Sequence, residues 1–148
     1  MKNISKNLQM FNQVYKETNV IYHDYAAKNG ISDTAFWIMY SVYYYGEGIT
    51  QKNICEEWFY SAQTVNSSLK TMEKNGLIIL EPSKDNKKEK QIHFTKEGLL
   101  LAEKIIKPVI EAEKQSFEQL DNMEIEAMFE TTYKHMKKLE SLIESIKN

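Results

Sequence analysis

The sequence predicts a mainly α-helical fold: a winged helix-turn-helix with a two-stranded β wing and long N- and C-terminal dimerisation helices. Three observations predict it. Apolar residues step by three and four over long stretches at both ends of the chain, the spacing that lines one helix face. In the middle, two short helical patterns meet across a turn made of Phe59 and Tyr60, the arrangement of a helix-turn-helix. Directly afterwards the period shortens in two short apolar segments around a lysine-rich turn, which reads as a hairpin.

Residues 5–29 form the first predicted helix. Leu8, Phe11, Tyr15, Thr18, Tyr22 and Tyr25 share one face, with Val14 and Ile21 beside them. Ser5 reads as its N-cap and Asn29-Gly30 as its stop. The second helix starts at a Ser32 cap and runs to about Tyr45. Phe36, Met39 and Val42 or Tyr43 make its inward row, and Trp37, Tyr40 and Tyr44 a second row beside it. A second aromatic row needs a cover: another helix, a second subunit or a ligand. Gly46-Glu47-Gly48 then breaks the chain.

Thr50 caps a short helix from Gln51 to about Trp58, with Ile54, Cys55 and Trp58 facing inward. Ser61 opens the next helix, its hydroxyl placed to accept from an orphan backbone N–H. Val65, Leu69 and Met72 line the inner face, and Gly76 ends the helix because glycine enters the left-handed cap freely. The outer face carries Gln63, Thr64, Asn66, Ser67 and Lys70, with no carboxylate before Glu73. A solvated face usually mixes Glu with Lys. Neutral donors and acceptors plus a cation are instead the chemistry that reads base edges while gripping phosphate.

Leu77–Leu80 reads as a strand and Gln91–Phe94 as its return. The turn between them carries Lys84, Lys87, Lys88 and Lys90. A cationic hairpin tip placed directly after a helix-turn-helix is a wing, able to reach phosphates or a minor groove. Thr95 caps the following helix, which Pro108 is expected to kink on its way to about Leu120. Asp121 or Asn122 caps the last helix. Its stripe of Ile125, Phe129, Thr132, Met136, Leu139, Ile143 and Ile146, flanked by Met128, Tyr133 and Leu142, resembles a coiled-coil seam. Residues 32–95 are expected to form the winged lobe, with helical regions 1–31 and 96–148 on either side of it.

At 148 residues the chain is about one domain long. Its net charge is −2, with no global basic signal, yet the charge is unevenly placed. From Thr50 to Lys96 there are eight Lys against six Asp and Glu; from Glu97 to Asn148, seven against eleven. Every basic residue is Lys; none is Arg. A single cysteine, Cys55, excludes an intrachain disulfide and fits a reducing compartment. No apolar run approaches the roughly 20 residues of a membrane span, and Met1–Lys6 does not open a signal peptide. A cytoplasmic, non-membrane protein is expected.

Enzymatic activity finds no support. His23, His93 and His135 lie on separate elements without paired metal-ligand spacing, and there is no glycine-rich phosphate loop. No catalytic residue, cofactor or metal is expected. His23 reads as a surface histidine, with His23-Asp24 as half of a metal or ligand site the alternative, and Cys55 as a buried small residue rather than a redox sensor.

The order of elements resembles the MarR family of bacterial transcriptional regulators. The residues that carry the resemblance are Ile49-Thr50-Gln51-Lys52-Asn53-Ile54-Cys55, Thr64-Val65 with Leu69, Glu73-Lys74-Asn75-Gly76-Leu77-Ile78, Asp85-Asn86-Lys87-Lys88, and Phe94-Thr95-Lys96-Glu97-Gly98. The wing departs from the family in having Lys87-Lys88 where Arg is favoured, and Cys55 stands where Ala is usual. The resemblance implies a homodimer in which 1–31 and 96–148 form one intertwined helical dimerisation region, and whose recognition helices enter the major grooves of a pseudo-palindromic operator on double-stranded DNA. It also implies release of DNA on binding a small, often aromatic, ligand. The expected DNA-binding residues are Ser61, Gln63, Thr64, Asn66, Ser67, Lys70, Lys84, Lys87, Lys88 and Lys90. Phe11, Tyr15, Tyr22, Trp37, Tyr40 and Tyr44 either border a cleft for such a ligand or pack a dimer. A ligand-responsive repressor is the leading expectation. A winged-helix protein–protein adaptor or anti-repressor without DNA binding is the alternative, since fold alone does not fix function.

Overall fold

The computed structural model describes residues 4–46, 48–83, 86 and 89–146. Among them the elements run α1 (Ile4–Lys28), α2 (Asp33–Tyr45), α3 (Gln51–Trp58), α4 (Ala62–Lys74), β1 (Ile78–Pro82), β2 (Lys90–Phe94), α5 (Lys96–Ile105), α6 (Lys107–Glu118) and α7 (Asn122–Glu144). The chain divides into two compact units, residues 1–108 and 109–148. No described helix is long and apolar enough to cross a membrane.

The first unit is built around α2. Phe36, Ile38, Met39 and Val42 are fully buried there, together with Ile54 of α3 and Val65 and Leu69 of α4. Each of these helices starts where a side chain satisfies the free N–H groups of its first turn. Ser32 accepts from Ala35, and Ser61 from Thr64. Thr50 accepts from Asn53, whose side chain accepts back from the Thr50 backbone N–H, closing a capping box.

At the far end of α4, the N–H of Gly76 reaches the carbonyl of Glu73, and that of Leu77 the carbonyl of Met72. This crossed pair is a Schellman ending, and it needs the left-handed φ of +70° that Gly76 adopts. Asn75 is thus the C-cap, one residue before the glycine expected to stop the helix.

β1 and β2 pair antiparallel with Ile78 opposite Phe94, Leu80 opposite Ile92 and Pro82 opposite Lys90. Against the expected 77–80 and 91–94, β1 begins one residue later and ends two later, and β2 begins one earlier and ends as expected, because backbone pairing continues past the apolar run toward the hairpin tip. Pro82 is tolerated at the last position, where no further ladder bond is required of it. Thr50 bridges Gln91, so the residues leading into α3 form a short third edge to the hairpin.

Two expectations are corrected. α1 begins by Ile4, so Ser5 lies within the helix and does not cap it. The Pro108 helix is broken rather than kinked: α5 ends at Ile105 and α6 begins at Lys107. Proline has no N–H to donate, and at the second position of α6 that loss costs nothing, since first-turn donors have no helical partner. The aromatic face of α1 is split: Tyr22 and Tyr25 are half-buried against α2, while Leu8, Phe11 and Tyr15 are exposed.

The second unit contains most of α6, then α7. Asp121 and Glu124 close a capping box at the start of α7, and Phe117 stacks on Phe129 at 6.1 Å. No residue of α7 is buried. Phe129, Met136, Leu139 and Ile143 of the expected seam are all exposed, and Ile125 is half-buried. Ile146 lies past the end of the helix.

Candidate nucleic-acid interface

The outer face of α4 follows from its inner one. With Val65, Leu69 and Met72 buried, a turn of about 100° per residue leaves Gln63, Ser67, Lys70 and Lys74 along the opposite ridge. All four are exposed. Thr64 and Asn66 are exposed on the flanks. At the N-terminus, Ser61 Oγ accepts from the Thr64 N–H at 3.1 Å and lies 2.8 Å from Thr64 Oγ1. Both hydroxyls are therefore engaged in holding the first turn. A phosphate there would meet the remaining first-turn N–H groups, with these hydroxyls in support.

Two grooves flank the helix. One, of about 520 Å³, runs between α3, α4 and the hairpin, and is lined by Gln51, Lys52, Cys55, Asn66, Lys70 and Lys90 among others. Its floor is apolar, with Leu69 and Leu80, and Glu73 and Glu89 also border it. The other, of about 620 Å³, lies toward the α1–α2 connection, with Gln63, Thr64 and Ser67 facing Gly30, Ile31 and Ser32. The structure thus gathers Ser61, Gln63, Thr64, Asn66, Ser67 and Lys70 on one helix. It separates the two carboxamides, Asn66 toward the hairpin and Gln63 toward α2. Lys90 is exposed at the start of β2. Lys84, Lys87 and Lys88 lie outside the described residues.

Two residues were missed by the sequence reading. Lys74 continues the 63–67–70–74 ridge, and its 4-3-4 step was legible all along. Lys52 joins Lys70 and Lys90 around the hairpin-side groove, a placement that only the packing of α3 against α4 reveals. Gln51 is drawn to the same junction, its Nε2 donating to the Ala62 carbonyl at 2.9 Å.

The expected aromatic residues split. Trp37 stacks on Trp58 at 4.1 Å and meets Tyr22 at 4.9 Å, while Tyr40 stacks on Tyr44 at 5.7 Å. Trp58 Nε1 donates to the buried Ser41 Oγ at 2.7 Å. Trp37 and Tyr40 of the second aromatic row of α2 are thus half-buried within the chain, Trp37 against α3 and α1, while Tyr44 stays more than half exposed. Phe11 and Tyr15 sit about three and two turns further up α1 from Tyr22, both exposed.

Among the described residues no three His, Cys, Asp or Glu side chains converge as a metal site. His23 pairs with Asp33 at 2.9 Å rather than with Asp24. The hydrogen bond to that carboxylate raises the imidazole pKa above its ordinary value. Cys55 is half-exposed at the groove, not buried as expected, because α3 and α4 do not close over it. Partial burial, then the neighbouring Glu56, pushes its thiol pKa up, opposite to what thiolate reactivity needs. A thiol reagent at neutral pH should accordingly label Cys55 more slowly in the folded protein than in denaturant; equal or faster labelling of the folded chain would contradict this.

Residues 29–89 match the model of the MarR family. Among solved structures, a MarR family regulator from Neisseria meningitidis is similar with a TM-score of 0.75 at 19% identity, over 99% of this chain and 100% of that one. MepR of S. aureus in its DNA-binding conformation gives 0.74 at 22% identity, over 90% and 98%. FabT of Streptococcus pneumoniae in complex with DNA gives 0.69 at 19%, over 95% and 99%. No curated protein matches the chain. At these identities the structural likeness is one of fold.

Proposed function

We propose that the chain, whose residues 29–89 match the MarR family model, is a DNA-binding transcriptional regulator of that family. In this reading it is a repressor that acts as a homodimer on a pseudo-palindromic operator and lets go when a small ligand binds. Residues 32–95 are the DNA-binding lobe, and 1–31 with 96–148 form the dimerisation region. The observation that carries the reading is the ridge Gln63–Ser67–Lys70–Lys74, exposed and free of carboxylates. A helix that merely met water would have no reason to exclude Glu from that row.

The roles divide by chemistry. Gln63 and Asn66 can each pair bidentately with adenine in a major groove. Ser61 and Thr64 support a phosphate at the helix N-terminus, while Lys70, Lys74 and Lys90 supply salt-dependent grip. The wing lysines Lys84, Lys87 and Lys88 add to that grip. Lacking arginine's planar fork, they hold rather than read.

Selection of bound sequences from a random DNA pool should return a site with two-fold symmetry and half-sites about one helical repeat apart. On that site, Gln63→Ala and Asn66→Ala should each cost about 1–3 kcal/mol and relax a different base position. Lys70→Ala and Lys74→Ala should weaken operator and random DNA alike and make the salt dependence shallower. Recovery of no enriched sequence, or equal losses on both DNAs for all four variants, would overturn the assignment.

A further inference from the structure

Gln51 makes a contact that the fold does not require. It is the first residue of α3 and half-buried. Its Nε2 donates to the carbonyl of Ala62, in the first turn of α4, at 2.9 Å. That carbonyl has a partner already, because helical geometry directs the Asn66 N–H at it. A carbonyl oxygen carries two lone pairs, so both donors fit. Ala62 is exposed, and its methyl is too small to shield the oxygen from α3. Water could serve the same lone pair, so the bond adds little to stability.

What the bond does is positional. Ala62 and Asn66 are four residues apart and share one face of α4, and with Gln51 they line the hairpin-side groove. The Gln51 amide and the Asn66 backbone thus converge on one oxygen, a turn below the Asn66 carboxamide. From behind, Gln51 is fixed by the hairpin. The Gly48 N–H donates to the Ile92 carbonyl at 3.1 Å and the Ile92 N–H to the Ile49 carbonyl at 2.8 Å, while Thr50 bridges Gln91. A continuous run of bonds therefore leads from β2, through the start of α3, to the first turn of α4.

We propose that Gln51 is a positioning residue for base reading: it sets the Asn66 carboxamide in register with the hairpin, so that both meet one duplex together. The inference rests on the DNA-binding reading of α4. A bidentate carboxamide–adenine pair needs its donor and acceptor placed to within about 0.5 Å, a tolerance that one hydrogen bond between the two helices can decide. Gln51 needs no contact with DNA for this, since its amide is engaged within the protein.

The test uses the full chain and the sequence it selects from a random DNA pool. Gln51→Met keeps the length of the side chain and removes its donor. It should weaken operator binding about tenfold and random DNA by less than about twofold, with a thermal transition within a few degrees of the parent's. In an Asn66→Ala background the same change should cost less than about twofold further, because Gln51 acts through Asn66. Equal losses on both DNAs would make Gln51 a phosphate contact. Full addition to the Asn66→Ala loss would make it an independent reader, and a markedly lower thermal transition a brace of the fold. Each of these overturns the proposal, as does an unchanged operator affinity. A parent that selects no sequence would instead sink the DNA-binding reading itself, and the inference with it.

Discussion

Gly98→Ala should destabilise the protein by about 3–5 kcal/mol, although the same change in an ordinary helix interior stabilises by nearly 1 kcal/mol. Gly98 is buried in the first turn of α5. A Cβ built there would meet the Leu77 carbonyl oxygen at 1.8 Å and its carbon at 2.8 Å. Those are backbone atoms, unable to swing aside like a flexible side chain. The same Leu77 carbonyl accepts the Thr95 N–H at 3.0 Å, Thr95 Oγ1 donates to the Gly76 carbonyl at 2.6 Å, and the Gly98 N–H donates to Thr95 Oγ1 at 3.0 Å.

The ends of α4 and the hairpin are therefore clasped by one set of bonds, and a methyl group at 98 pries it open. Overpacking accounts for roughly 1–3 kcal/mol, and each strained hydrogen bond for about 1 more. Set against a typical total stability of about 5–15 kcal/mol, the loss should appear as a large fall in the urea midpoint. A midpoint equal to or above the parent's would mean that α5 does not seat against Leu77 as described.

That clasp shows where sequence reasoning stops. The caps Ser32, Thr50, Ser61, Thr95 and Asp121 were legible, because a hydroxyl or carboxylate three residues ahead of its backbone donor is a local relation. The inner rows of α2 and α4 were legible for the same reason: helical period alone selects Phe36, Met39, Val65, Leu69 and Met72. The close approach of Gly98 to Leu77 joins residues 21 apart in sequence, and no spacing rule encodes it. The resemblance marked Gly98 as part of a motif without saying why it must be glycine. The stack of Trp37 on Trp58 was hidden likewise. Periodicity showed that the outer aromatic row of α2 needed a cover, but the choice among helix, subunit and ligand required tertiary structure. At the candidate site, the sequence named the polar residues of α4. Their division between two grooves depends on how α3 and the α1–α2 connection flank the helix.

The second large effect is expected from α7, where Leu139→Asp should convert a dimer into monomers and weaken operator binding by more than about 100-fold. Leu139 belongs to the row Ile125–Phe129–Thr132–Met136–Leu139–Ile143, and α7 has no buried residue within one chain. Large apolar side chains kept at a strict 4-3-4 step over so long a helix are costly to leave in water, at about 1.5–3 kcal/mol for each one that burial would remove. In a two-fold dimer every residue acts twice, so one substitution places two carboxylates in the apolar contact. Removing an uncompensated charge from water costs several kcal/mol, enough to shift a dimer of ordinary affinity to monomer. A monomer presents one recognition helix and forfeits the second half-site. Lys134→Asp on the opposite side of α7 is the matched control, since it adds a carboxylate where none should be buried, and it should leave mass and affinity unchanged. Light scattering of both variants with an operator gel shift decides the matter. A Leu139→Asp protein that remains dimeric, or a parent that is already monomeric, would place the seam against something other than a second copy.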